Sequence, residues 1–128
     1  MAKSVKPHLY ALLVGVDLYP YPVRPLKGCV NDIRAFSDYL ERAEKDNYQL
    51  HIEKLENTAA KKGDIIRMFQ EHLGKAGKQD VALFYYSGHG AQEAADTRIW
   101  TFEPDGKLEG LVCYDSIPGP QGPFNLLV

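Results

Sequence analysis

Cysteine is scarce: the 128 residues hold two, Cys29 and Cys113. At most one bridge can form, which excludes a disulfide-stapled scaffold, and no Cys-x-x-Cys pair marks a metal knuckle. A reducing, cytoplasmic setting is the expectation. Charge of one sign is missing too. Fifteen Lys and Arg stand against seventeen Asp and Glu, a formal charge of −2 with the signs interspersed. No basic stripe follows a phosphate backbone, so nucleic acid is not expected as a partner. Nor is there a run near the roughly 20 apolar residues of a membrane span. Lys3 and Lys6 ahead of Leu9 to Val14 look like a short signal-peptide core, but Asp17 follows without a small-residue cleavage site, and a buried strand is the preferred reading. Metalloprotease, nucleophile-elbow and phosphate-loop motifs are absent.

With 45% hydrophobic and 25% charged residues, the composition is that of an ordinary globular domain, long enough for one core and too short for two. Leu9 to Val16 is a continuous apolar run of strand length. Ile33, Phe36 and Leu40 then recur at helical spacing to about Ala43, with Asn31 or Asp32 as N-cap. Tyr48, Leu50 and Ile52 alternate with polar neighbours in a second strand ending near Leu55. Thr58 is placed to cap a second helix whose inner face is Ile65, Ile66, Phe69 and Leu73, ended by Gly74 or Gly77. Val81 to Tyr86 is a third, again continuous, strand. Ile99 to Phe102 and Leu111 to Tyr114 flank Pro104-Asp105-Gly106 and predict an antiparallel β-arm. The alternation implies a parallel sheet covered on both faces, a three-layer α/β/α fold. Sites in such sheets form beyond the carboxyl ends of the strands, which brings residues 17–32 and 87–92 to one rim.

On that rim Ser87-Gly88-His89-Gly90 puts a histidine between two glycines. Gly88 permits a sharp turn, and Gly90 leaves a backbone N–H free beside the imidazole, a candidate oxyanion donor. A turn histidine also serves structure alone, as His8, His51 and His72 are expected to do. If His89 is a base, its nucleophile comes from elsewhere in sequence.

Leu26-Lys27-Gly28-Cys29-Val30-Asn31-Asp32 opening a helix, Leu83 to Gly90 closing a strand, and Glu103-Pro104-Asp105-Gly106 followed by Leu111 to Ser116 together resemble a prokaryotic caspase-like domain, nearest to the metacaspases of peptidase family C14. The likeness runs from about Leu9 to Ser116. It implies that His89 belongs to a Cys–His dyad assisting thiolate attack on a peptide carbonyl, and that Gly90 lines the oxyanion hole. It places Asp32, with Cys29 and Ser87 beside it, at the pocket that receives a basic side chain, hence cleavage after Arg or Lys. Asp32 as a plain helix cap and Cys29 as a packed small hydrophobe remain the alternative readings.

In the resembled family the nucleophilic cysteine follows a further strand, in an Asp-x-Cys-His-Ser-Gly type of motif, and neither Cys29 nor Cys113 stands there. Residues 1–128 are therefore expected to be the N-terminal part of one caspase-like peptidase domain, inactive alone, whose partners are a protein or peptide substrate and the C-terminal remainder of the same domain. The alternative is a catalytically inactive module that binds a protein partner. Without the resemblance, a flavodoxin-like response or ligand-binding domain is a third reading, from the strand-helix alternation alone. No cofactor is expected; family calcium sites use clustered acidic residues near the arm, whereas Asp105, Glu109 and Asp115 are scattered.

Overall fold

In the computed structural model the described residues are 5–94, 107–116 and 125–128. Three parallel strands form the main sheet: β1 (His8–Gly15), β2 (Gln49–Glu56) and β3 (Val81–Ser87), in the order β2-β1-β3. Register runs from His8 opposite Gln49 and from Leu9 opposite Val81. Helix α1 (Cys29–Ala43) joins β1 to β2, and α2 (Lys62–Glu71) lies between β2 and β3.

The period-2 geometry of β1 divides the core into two layers. Leu9, Ala11 and Leu13 face α1 through Ile33, Phe36 and Leu40, joined by Leu50 and Ile52 of β2 and Leu83 and Tyr85 of β3. Leu12, Val14 and Val16 face the other way onto Ile65 of α2, Leu73, Ala60 and Cys113, with Tyr86 and Leu55 at the margin. Because both faces of β1 are covered, its sequence is unbroken apolar rather than alternating. Gly15 lets α1 start close to the strand end: a Cβ there would lie 2.9 Å from the Cys29 carbonyl oxygen.

The expected mostly parallel, three-layer α/β arrangement is present, and several local expectations need correction. Helix α1 begins at Cys29 with Gly28 as cap residue and no side-chain cap of its own, so neither Asn31 nor Asp32 caps it. The carboxylate of Asp17 does so from the loop after β1, accepting the N–H groups of Cys29 at 2.8 Å and Val30 at 3.1 Å. Thr58 lies in a short 3-10 turn, Asn57–Ala59, ahead of α2, and Asp115 accepts the Lys62 N–H at 2.8 Å instead. Both helix starts are thus held by carboxylates remote in sequence. On α2 only Ile65 is buried. Ile66 and Phe69 are exposed, Phe69 keeping an edge contact with Phe84 of β3 at 5.5 Å between ring centroids, and Leu73 reaches the core from a separate 3-10 turn, Leu73–Lys75.

An antiparallel pair does follow β3, but it is not the pair of strands the sequence predicts. β4 (Gly90–Ala94) pairs antiparallel with β5 (Lys107–Leu111), Gly90 opposite Leu111. Leu111 is the last strand residue, and Val112 to Ser116 leave the ladder, because the Ser116 hydroxyl accepts the Cys113 N–H at 2.8 Å and curls the chain. Ile99 to Phe102 and Pro104-Asp105-Gly106 lie outside the described residues.

Candidate active site

The order β2-β1-β3 sends the chain from β1 to one side and later to the other. Loops after β1 and β3 consequently diverge, leaving the crevice at which α/β proteins bind ligands. Asp17, Tyr19 and Arg24 enter it from the loop after β1. Cys29 and Asp32 come from the first turn of α1, and Ser87, Gly88 and His89 from the end of β3. Asn57 anchors the first loop: in a left-handed conformation (φ 50°), which asparagine tolerates, its side-chain oxygen accepts the N–H of Asp17 at 2.9 Å and of Leu18 at 3.1 Å.

His89 stands between two ladders. β3 ends at Ser87 and β4 starts at Gly90, so its main chain turns from one sheet into the other. The imidazole Nε2 lies 2.7 Å from the Arg24 carbonyl oxygen. A carbonyl can only accept, so Nε2 carries the proton and Nδ1 of the neutral ring keeps its lone pair as a base. The Tyr19 ring packs beside the imidazole, centroids 5.1 Å apart.

Gly90 is set up by strand geometry. Val112 donates its N–H to the His89 carbonyl at 2.9 Å, which makes Gly90 and Leu111 a non-hydrogen-bonded antiparallel pair, whose N–H groups point away from each other. Leu111 turns its own N–H to the Leu127 carbonyl at 2.8 Å. The Gly90 N–H therefore points out of the β4–β5 ladder, one residue from the imidazole.

Cys29, Ser87 and Asp32 come together as a group around the start of α1. Burial pushes the Cys29 thiol above its ordinary pKa; the Asp17 and Asp32 carboxylates add to this, and the Ser87 side chain facing the sulfur partly offsets it. Asp32 is exposed. Cys113 is buried on the α2 side of the sheet and its thiol is also pushed up, chiefly by burial. A thiol raised in this way carries little thiolate at neutral pH, so neither cysteine has the environment of an activated nucleophile. Among the described residues no group of three or more His, Cys, Asp or Glu is placed to hold a metal. Asp115 is engaged by the Lys62 N–H, Glu109 lies on β5 and Asp105 is outside the described residues. No helix among them is long and apolar enough to cross a membrane.

The family model described as the caspase domain matches residues 8–120. The chain belongs to the caspase domain family. Among its relatives, metacaspase III c of Phaeodactylum tricornutum is 29% identical over 108 residues, 82% of this chain and 32% of the relative. Metacaspase-1 of Meyerozyma guilliermondii is 35% identical over 85 residues, 62% of this chain and 20% of the relative. A crystal structure of a protein from Geobacter sulfurreducens superposes with a TM-score of 0.63 at 27% identity, covering 85% of this chain and 40% of that one. This caspase domain chain thus spans between a fifth and two fifths of the length of these proteins.

Sequence reasoning missed five contributors to the caspase domain rim. Arg24 acts through its backbone, for which a sequence carries no signal. Asn57 shows itself only through its left-handed backbone. Asp17 was readable as a carboxylate set directly after a buried strand and ahead of a helix start. Tyr19 and Tyr86 were readable only as aromatics, whereas their hydroxyls lie 3.2 Å apart at the rim.

Proposed function

We propose that this chain supplies the base and the specificity pocket of a cysteine endopeptidase that cleaves after Arg or Lys. The observation carrying this reading is the Nε2–H of His89 bound to the Arg24 carbonyl beside an outward Gly90 N–H. In such a site Nδ1 of His89 accepts the thiol proton as sulfur attacks the peptide carbonyl, and returns it to the leaving amine. The Gly90 N–H donates to the oxyanion that forms in between. Asp32, exposed at the mouth of the group it forms with Cys29 and Ser87, offers a carboxylate for charge-assisted hydrogen bonds to a basic side chain. Neither Cys29 nor Cys113 stands where the resembled family places its nucleophile, and burial raises both thiols, so this reading takes the nucleophile from a cysteine outside residues 1–128, in the remainder of the same peptidase domain.

The test is hydrolysis of peptides ending in Arg, Lys or Asp by the longer protein. Expected is a preference for Arg and Lys, a loss of about 10²–10⁴-fold in His89→Ala, the range for removing a general acid–base, and no hydrolysis by residues 1–128 alone. Hydrolysis indifferent to His89→Ala overturns the assignment. A parent protein without a further cysteine leaves the second reading, a non-catalytic module, which the raised pKa of both thiols already favours over a dyad built within this chain.

A further inference from the structure

The hydroxyls of Tyr19 and Tyr86 meet 3.2 Å apart, directly beneath the main chain of His89. Tyr19 reaches this point from the loop after β1 and Tyr86 from the penultimate position of β3, ahead of Gly88. His89 donates its N–H to the Tyr19 oxygen at 2.9 Å. Tyr19 donates its own proton to the Val112 carbonyl at 3.0 Å. Tyr86 has two carbonyl acceptors in reach, His89 at 2.7 Å and Val112 at 2.8 Å. Two hydroxyl protons and two N–H groups, counting that of Val112, therefore serve a closed ring of acceptors. Burial raises both phenols above their ordinary pKa, so each remains a donor across the neutral range.

The ring explains Gly88 more closely than turn geometry does. A Cβ at Gly88 would lie 2.5 Å from the Tyr86 oxygen and 2.7 Å from the Tyr19 oxygen. The two hydroxyls occupy the space that any other residue would need.

We propose that Tyr19 and Tyr86 are positioning residues: their hydroxyls clamp the His89 main chain to Val112 and so hold the imidazole against the Arg24 carbonyl and the Gly90 N–H at its outward angle. This rests on the protease reading for its consequence, but not for its geometry. Neither hydroxyl has a proton to spare for a substrate, since each is already committed to main-chain groups. The clamp acts on the histidine from below, tying the loop after β1, the end of β3 and the residue following β5 at one point. Rigid support of this kind is what separates a histidine at the right angle from one merely nearby.

Two measurements test it. In the 128-residue chain, amide hydrogen exchange followed by NMR is expected to quicken at least about tenfold at His89 in Tyr19→Phe and at Val112 in Tyr86→Phe, while Ala11 to Leu13 of β1 keep their rates and report an intact fold. Unchanged rates at both amides overturn the clamp. Should a variant fail to fold, the unsubstituted chain decides: two tyrosine hydroxyl protons protected from solvent exchange support the ring, and their absence overturns it. In the longer protease, either Phe variant is expected to lower kcat at least about tenfold with KM within twofold, whereas Tyr85→Phe, on the opposite face of β3, leaves both unchanged. Faster exchange with unaltered kcat overturns the positioning role. Absence of hydrolysis in every form, unsubstituted protein included, counts against the protease reading and leaves the exchange result standing.

Discussion

Arg24 touches His89 through a carbonyl oxygen, so its side chain is free to change while the contact stays. Arg24→Ala is expected to leave His89-dependent hydrolysis within about twofold, surface substitutions of this kind being nearly neutral, and a larger loss would show that the guanidinium itself contributes. Gly88 behaves in the opposite way. Its replacement by alanine drives a methyl into the two tyrosine hydroxyls at 2.5 and 2.7 Å, and both are fixed by main-chain partners, so neither can simply swing aside. Overpacking of this order costs about 1–3 kcal/mol. Urea denaturation of Gly88→Ala should show that loss, and a variant as stable as the parent would mean that the rim yields more easily than its hydrogen bonds imply.

At the scale of elements, the two helices share an unusual arrangement: neither is capped from within. Asp17 receives the first N–H groups of α1, and Asp115 that of Lys62 at the start of α2. A carboxylate at a helix N-terminus satisfies orphan donors and complements the helix dipole. Asp17→Ala should therefore cost about 1–2 kcal/mol, with Asp17→Asn in between, whereas Thr58→Ala, the local cap the sequence offers, should change stability by less than about 0.5 kcal/mol. Denaturant midpoints of the three variants rank the caps directly; an equal cost for Thr58→Ala would refute the long-range assignment. This is also where the sequence was least legible. Spacing of Ile33, Phe36 and Leu40 identified α1 and its inward face, because periodicity is local. The start of α1 at Cys29 was not readable, because the group that stabilises it stands twelve residues earlier and reaches it only once β1 has folded. For α2 the pattern overreached: Ile66 and Phe69 fit the stripe, yet only Ile65 of the helix is buried, and Phe69 keeps no more than an edge contact with Phe84 of β3. The strand after the predicted turn was misplaced: the sequence puts it at Leu111 to Tyr114, whereas Lys107–Leu111 pairs with Gly90–Ala94 and ends where Val112 joins His89.

For the molecule as a whole, the continuous apolar strands Leu9 to Val16 and Val81 to Tyr86 already announced a sheet covered on both faces, and hence a rim after β1 and β3 from which Cys29, Ser87 and His89 come. The opposite end of the same sheet has its own fastening. Asp80, just before β3, accepts the His8 N–H at the start of β1 and the Gly77 N–H, each at 2.8 Å. These two hydrogen bonds, first that of Gly77, hold its carboxyl below the ordinary 3.8. Glu56 at the end of β2 is held below its ordinary 4.5 chiefly by the paired hydrogen bonds of Arg34, both 2.8 Å. Both groups bind a proton more readily in the unfolded chain than in the folded one, so the stability they contribute is fully present above their ordinary pKa values and is lost as pH falls through the lowered folded ones. The denaturation midpoint should accordingly be level from neutrality down to about pH 5 and decline below about pH 4. Both carboxylates lie near the surface, where water and salt weaken such contacts, so the decline is gradual and shrinks in high salt. Combining Asp80→Asn with Glu56→Gln should flatten it, because an amide has no proton to gain. If the double variant keeps the full acid slope, the strand fastening at Asp80 and the ion pair at Glu56 are not what couples this fold to pH.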